Sequence, residues 1–331
     1  MENLEQIFKE VNSKKIMVVG DVMIDSYMWG RVDRISPEAP VPVVSVTKKE
    51  NRLGGAANVG LNIKAMGAEP ILCGIIGNDD QGKNFRKLLH KRNMTDLGLM
   101  PVNERPTTVK TRVIASSQHL LRVDEEISDS IQNDIARKFS DHVIEIIETQ
   151  KPHVIIFEDY DKGNITPEVI HLIVDKAVEL KIPVLVDPKK RNFFDYKRVT
   201  LFKPNFKELV EGMKISISKL DTEAVANAAE RLREQLNAKY VMVTLSEAGV
   251  LLTNGDDKFT MPAQKREIAD VSGAGDTVIS VLACCMAANV DAKTSTVIAN
   301  IAGGQVCEKI GVVPVEKTQL LLEAQKYFTV K

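Results

Sequence analysis

Hydrophobic spacing along the chain changes period several times, and each change marks an element. Leu4, Ile7, Phe8 and Val11 recur at helical spacing. Residues 16–19 then form an apolar run ending at Gly20-Asp21, which predicts a buried strand opening into a loop. Residues 27–47 behave differently. Tyr27-Met28-Trp29 and residues 41–46 predict short extended pieces, broken by Pro37, Pro40 and Pro42, in a small peripheral sheet. Gly54-Gly55-Ala56-Ala57-Asn58 opens a helix through Met66, and Gly67 ends it. A strand at 71–76 and a helix from about 82 to 92 follow. Residues 107–114 and 120–124 predict a hairpin around Ser116-Ser117-Gln118, assigned to the same peripheral sheet.

From about residue 130 strands and helices alternate regularly. Strands are expected at 154–157, 184–186, 240–244 and 250–252, with a short extended piece at 199–202. Helices are expected at 166–180, 205–213, 221–236, 276–289, 293–309 and 316–327. Repeated strand–helix units predict a parallel sheet covered on both faces, with ligands at the carboxyl ends of its strands. Asp21, Asp159, Asp187 and Asn205 sit at or soon after such ends. The expected class is α/β: a central mostly parallel sheet with helices on both faces, plus a small β-sheet lid. Residues 1–331 are expected to form one domain, with lid segments at about 26–48 and 105–125.

Composition narrows the function classes. A chain of 331 residues with 44% hydrophobic content can bury a large core. Lys+Arg 44 against Asp+Glu 45 leaves a net charge of -1 and no basic block, which argues against nucleic acid and anionic membrane as partners. Cys73, Cys284, Cys285 and Cys307 lie in apolar contexts without metal-ligand spacing, so reduced thiols in a cytoplasmic protein are expected. Residues 1–15 lack the apolar core of a signal peptide, and the uncharged run at 277–290 is too short to span a bilayer.

The strongest chemical signal is Asp270-Val271-Ser272-Gly273-Ala274-Gly275-Asp276-Thr277. Backbone N–H groups of Gly273, Ala274 and Gly275 at a helix start can approach an anion closely, with the Asp276 carboxylate beside them. That suits phosphoryl transfer to a hydroxyl whose proton Asp276 accepts. The same residues also suit a tight turn with an ordinary N-terminal acid. Asn205 and Glu208 lie on one helix face and fit either a hydrated Mg²⁺ or an N-cap with its capping box. Thr244, Ser246 and Gly249 fit a nucleotide pocket or a plain hairpin. Gly54, Gly55 and Asn58 fit close approach of a small ligand or simple packing. Asp21 and Asp25 fit acceptors for sugar hydroxyls or a capped loop. Lys110, Arg112, Arg122, Lys162, Lys189 and Lys190 are the cations nearest the cleft, where a substrate phosphate would need them. Residues 77–84 resemble a Walker A loop, but Asn84 replaces the metal-binding hydroxyl and Asp79 and Asp80 would repel a triphosphate. No complete G-x-G-x-x-G is present, which disfavours a dinucleotide enzyme.

Together these pieces resemble the ribokinase (PfkB) family of sugar kinases over nearly the whole chain. Gly54, Gly55 and Asn58 match its N-terminal signature, residues 270–276 its D-x-x-G-A-G-D, and Asn205 with Glu208 its N-x-x-E. Ser246 stands where the nucleotide-loop motif has its middle glycine. The stretches at 20–25, 34–42, 110–113, 118–124, 159–163 and 186–189 are similar to a narrower group, the heptose-7-phosphate kinases. The resemblance implies a ribokinase-like fold in which ATP phosphorylates the anomeric O1 of heptose 7-phosphate. It implies Asp276 as base, Gly273, Ala274 and Gly275 as anion hole, and Asn205 and Glu208 holding Mg²⁺ through water. Asp21, Asp25, Gly54, Gly55 and Asn58 would bind the sugar, and Arg112 and Lys162 the phosphate. The nucleotide would meet Thr244, Ser246 and Gly249. A monovalent cation near the 270 loop and a homodimer paired through the lid are implied as well. With its end at Lys331 the chain resembles the stand-alone form of such kinases, which would leave the nucleotidyl transfer to a separate protein. The alternatives are a kinase for ribose, fructose or fructose phosphate, and a non-catalytic sugar or nucleoside binder.

Overall fold

Unbroken runs of aliphatic residues make strands buried on both faces, and these set the centre of the molecule. The computed structural model describes residues 4–115, 118–264 and 266–330. The chain opens with α1 (Leu4–Glu10) and β1 (Lys15–Gly20), followed by β2 (Val22–Ile35), β3 (Pro42–Gly55) and α2 (Ala56–Ala65). Next come β4 (Glu69–Gly77), α3 (Asp80–Lys91), β5 (Gly98–Val102), β6 (Val109–Ala115) and β7 (Gln118–Glu125). The alternating half runs α4 (Asn133–Gln150), β8 (Val154–Glu158), α5 (Pro167–Glu179), β9 (Val184–Asp187), β10 (Leu201–Phe202), α6 (Phe206–Met213), α7 (Thr222–Leu236) and β11 (Tyr240–Thr244). β12 (Val250–Thr253), β13 (Lys258–Met261), α8 (Ala274–Ala287), α9 (Ala292–Cys307) and α10 (Lys317–Val330) complete it.

Nine strands form the central sheet in the order β13-β12-β11-β10-β9-β8-β1-β4-β5. β11 and β12 pair antiparallel, as do β12 and β13, and the remaining neighbours are parallel. Along β1 the side chains alternate. Ile16 and Val18 join the core under α2, α8 and α9. Met17 and Val19 join the core under α4, α5 and α7. The α/β class read from the sequence is therefore correct: helices cover both faces of a mostly parallel sheet. The strand order reverses at β1, which has β8 on one side and β4 on the other. In such sheets that reversal opens a crevice at the carboxyl ends of the strands.

A second sheet, ordered β3-β2-β6-β7, stands apart from the first. The expectation of short broken pieces over 27–47 is corrected here: β2 and β3 are 14-residue strands paired antiparallel along nearly their whole length. Pro37 and Pro40 fall in the connection between them, and Pro42 is the first residue of the edge strand β3, where a missing N–H is tolerated. Ser116 and Ser117, expected from the sequence to form the turn of the hairpin, lie outside the described residues. β5, β13 and the helix α4 were not read from the sequence. The Walker-like stretch is a strand–helix turn: Asp79 caps α3 by accepting from Gly82 N at 2.6 Å, and also accepts from Thr107 N at 2.8 Å. All four cysteines are buried and none is in a disulfide, and burial pushes the Cys73 thiol up to about 12. Among the described residues no helix is long and apolar enough to cross a membrane.

Candidate active site

Strands β1, β8 and β9 are neighbours in parallel register, so the residues closing them arrive side by side. They deliver Asp21, Glu158 with Asp159, and Asp187 to the reversal point. The N-terminus of α8 meets them from the C-terminal half. Gly273 is the N-cap at φ +79, a conformation that favours glycine, and a Cβ there would lie 3.1 Å from Asn58 Nδ2. A Cβ on Gly275 would sit 3.7 Å from both Asp187 Oδ2 and Lys203 Nζ, so the loop backbone passes close to that pair.

Asp276 occupies the first turn of α8 and is partly exposed. Its Oδ2 accepts from Asn58 Nδ2 at 2.7 Å and its Oδ1 from the Tyr160 hydroxyl at 2.9 Å. Burial and the charge of Asp187 raise its pKa, outweighing the pull of Asn58 and Tyr160 in the other direction. Burial, with Asp276 next, pushes the Tyr160 phenol well above its ordinary value, so it remains a donor. One oxygen each of Glu158, Asp187 and Asp276 lie within 4.8 Å of one another. Asp187 is paired with buried Lys203 at 2.7 Å. Burial alone would lower Lys203, but Asp187 and Glu158 outweigh it and hold the ammonium charged. Glu158 is 1% exposed, and its Oε2 has no hydrogen-bond partner among the described residues. Burial, Asp187 and Asp276 raise its pKa well above the carboxylate range.

The other sequence candidates fall around this cluster. Gly54 and Gly55 end β3 in close quarters: a Cβ on Gly54 would push on the Asp25 carboxylate, 2.3 Å away at Oδ2, and Gly55 has φ +58 with backbone Asp21 O 2.4 Å from its Cβ position, where glycine is required. Asp21 is fully buried, and its Oδ2 accepts from Tyr160 N at 2.8 Å and Lys162 N at 3.1 Å. That oxygen holds the loop after β8, while Oδ1 is buried with no hydrogen-bond partner among the described residues. Asp25 pairs with Arg112 at 2.5 Å, and Lys162 pairs with Glu126 at 2.7 Å. Both cations expected to hold a phosphate therefore already sit on carboxylates. Asn205 and Glu208 form a complete capping box on α6, and Glu208 Oε1 also takes Lys189 Nζ at 2.7 Å. Asn205 bridges to Thr244, which brings the start of α6 beside the end of β11. Ser246 adopts φ +52 in the turn after β11, and Gly249 adopts φ +92 before β12.

Tyr160, Glu158 and Lys203 were not picked out from the sequence. Their signal was a polar residue at or just past the end of an apolar strand, which marks a position and not a partner.

A profile for the pfkB family of carbohydrate kinases matches residues 13–319, and the chain belongs to that family. It is therefore a carbohydrate kinase. It is 38% identical over 311 residues to the bifunctional protein HldE of Magnetococcus marinus, covering 93% of this chain and 63% of that protein. Against the bifunctional protein HldE of Campylobacter jejuni (strain RM1221) the identity is 39% over 310 residues, covering 93% and 64%. The chain thus spans just under two thirds of these relatives' length. Its fold is similar to phosphofructokinase-2 from Escherichia coli in complex with potassium, with TM-score 0.76, 18% identity and coverage of 96% and 99%. Arabidopsis thaliana ribokinase complexed with ribose and ATP gives TM-score 0.70 at 16% identity, covering 93% and 99%.

Proposed function

We propose that this kinase transfers the terminal phosphoryl group of ATP to the anomeric O1 of D-glycero-β-D-manno-heptose 7-phosphate. The product is the 1,7-bisphosphate, which serves ADP-heptose and lipopolysaccharide core synthesis after a nucleotidyltransferase acts on it. The observation that carries phosphoryl transfer is Asp276 in the first turn of α8, with Asn58 and Tyr160 fixing its two oxygens. The sugar is read from the stretches at 20–42 and 110–124 and from the similarity to proteins named HldE.

In the proposed step the sugar O1–H gives its proton to Asp276 as O1 attacks phosphorus and the bond to the ADP oxygen breaks. A carboxylate with a raised pKa is a stronger base, and an anomeric hydroxyl is more acidic than an ordinary alcohol. The N–H groups of Gly273, Ala274 and Gly275 would face the charge on the transferred group, that of Ala274 after leaving Val271 O, its acceptor at 3.3 Å. Gly54, Gly55, Asn58, Asp21 and Asp25 border the sugar, and Asp21 has its unpartnered Oδ1 to offer a hydroxyl. Thr244, Ser246 and Gly249 border the nucleotide.

A divalent cation supplies charge neutralisation between the phosphates when bound. The residues fit it: Glu158 and Asp187 offer clustered carboxylate oxygens, with Glu158 Oε2 unpartnered, and leave Asp276 as the base beside them. Asn205 and Glu208 would reach it through water at the cluster's edge. The small sheet would close over the sugar as a lid and pair with a second copy, through a face where β7 leaves Leu121 and Val123 exposed. A monovalent cation beside the 270 loop belongs to the same reading.

The test is ADP release from ATP with heptose 7-phosphate, ribose, fructose and fructose phosphate in parallel. Turnover of heptose 7-phosphate alone is expected. Release with ribose or fructose and none with heptose 7-phosphate would replace the sugar, and release with no sugar would overturn the kinase step.

A further inference from the structure

A cavity of about 360 Å³ lies between the small sheet, α2 and the C-terminal end of α3. Its walls include Asp25, Tyr27, Arg52, Asn58, Lys91 and Arg92. We propose that it is the anion subsite of the kinase, where Arg52, Lys91 and Arg92 take the phosphate at the far end of a phosphorylated sugar. This rests on the proposed function.

Three observations point to it. The first is the state of the cations. On the small sheet Lys110, Arg112 and Arg122 sit on Asp124, Glu126 or Asp25, and Lys162 sits on Glu126. Lys91 and Arg92 make no ion pair among the described residues, although both are exposed at the cavity. A cation at a helix C-terminus favours the helix by itself. That accounts for their charge, but not for their sharing a cavity with an arginine from another element.

The second is Arg52. It uses only Nε on Glu50, at 2.6 Å, and its guanidinium lies 4.8 Å over the Tyr27 ring. The stacking fixes the plane of the fork and leaves its terminal nitrogens for a second acceptor, the arrangement that suits bidentate binding of a phosphate. The third is Asn58, which is 2% exposed and lies at the inner end of the cavity. Its Nδ2 donates to Asp276, while its Oδ1 has no partner among the described residues. A buried acceptor without a donor is uncommon, and a sugar hydroxyl would satisfy it. Asn58 thus joins the cavity to the Asp276 carboxylate, and a sugar with its hydroxyl at Asn58 and its phosphate at the rim would span the space between.

The experiment compares wild type with a Lys91→Gln/Arg92→Gln double variant, with Arg52→Gln and with Arg112→Gln. The lysine and arginine of the double variant are exposed, so the fold should survive their replacement. Steady-state turnover with heptose 7-phosphate is expected to show KM for the sugar phosphate raised about tenfold or more in the double variant and in Arg52→Gln, with KM for ATP unchanged. Inorganic phosphate is titrated alongside while fluorescence of Trp29 is followed. Trp29 is the chain's one tryptophan and stacks on Tyr27 at 5.4 Å. A saturable change in wild type that the double variant loses supports the subsite. An unchanged sugar KM in the double variant, with a raised one in Arg112→Gln, overturns the subsite and moves the phosphate to the small sheet. If heptose 7-phosphate is not turned over at all, the proposed sugar fails. The phosphate titration still decides the subsite in that case, by whether the double variant abolishes the response.

Discussion

Replacing Asp276 by Asn removes a negative charge and a proton acceptor while preserving shape. The structure indicates how little else should change. Asp276 accepts one hydrogen bond on each oxygen, from Asn58 and from Tyr160. In Asp276→Asn the new carbonyl can keep Tyr160, and the new amide would face the Asn58 amide as donor against donor. Asn58 carries an unpartnered Oδ1, so rotating its own amide half a turn restores the contact. The substitution also takes one charge out of three carboxylates that approach within 4.8 Å. Stability should therefore shift by no more than about 1 kcal/mol, the net worth of one hydrogen bond. Catalysis should fall by roughly 100-fold to 10,000-fold, the usual range for losing a general base. At 1.36 kcal/mol per decade that is about 3 to 5 kcal/mol of transition-state stabilisation. The assay is coupled ADP release with thermal unfolding of the same preparations and a calorimetric titration with ATP. Wild-type turnover in Asp276→Asn would refute the base assignment. Lost activity accompanied by a collapse in melting temperature would refute the claim that the residue acts chemically. The pH profile supplies a second check. Because the Asp276 pKa is raised, the inactive protonated form persists above the usual carboxylate range, and kcat/KM should climb with pH through that raised value. Asn58→Ala removes an interaction that lowers the pKa, so the acid limb should move further up.

Other outcomes follow from neighbouring groups. Glu158 has a folded-state pKa well above its unfolded one, so the folded state holds the proton longer and stability falls as pH rises from the ordinary carboxylate range towards that raised value. Glu158→Gln should then melt above wild type at pH 8 in the presence of a chelator, with the gap narrowing at pH 5; a gap that does not change with pH would sink this reasoning. Asn205→Ala removes the N-cap of α6 and should lower stability by about 1 kcal/mol. If KM for ATP and the Mg²⁺ requirement stay at wild-type values in that variant, Asn205 is a cap only and its proposed part in holding the metal is lost.

The parts of the fold that were legible were those whose chemistry is local. An apolar run such as Ile16-Met17-Val18-Val19 declares a buried strand whatever surrounds it, and Gly273 before a long uncharged stretch declares the start of α8. The small sheet was harder, because prolines normally interrupt strands. Pro42 is harmless only because β3 is an edge strand, and edge position is decided by pairing with β2. The site divided in the same way. Asp276, Asn58 and the glycines stood out by motif. Tyr160 and Lys203 gained their meaning from partners more than a hundred residues away at Asp276 and close by at Asp187. The charges of Arg112 and Lys162 were visible, but the carboxylates that hold them, Asp25 and Glu126, were not assigned to them.

β1 and β2 belong to different sheets, yet Asp21 alone separates them. The return path is as short, since β3 ends at Gly55 and α2 begins at Ala56. Asp21 N donates to Glu158 O, and Ala56 N donates to Asp21 O, so both strands are clamped at one point on the central sheet. The small sheet is in effect a lever with its fulcrum beside Glu158. Fourteen residues at ~3.3 Å each make an arm of up to about 45 Å, so turning it by ~10° at the fulcrum would carry its tip roughly 8 Å. The connection at residues 36–41, at the far end of that arm, is where a pair of distance labels would report such motion with the greatest sensitivity.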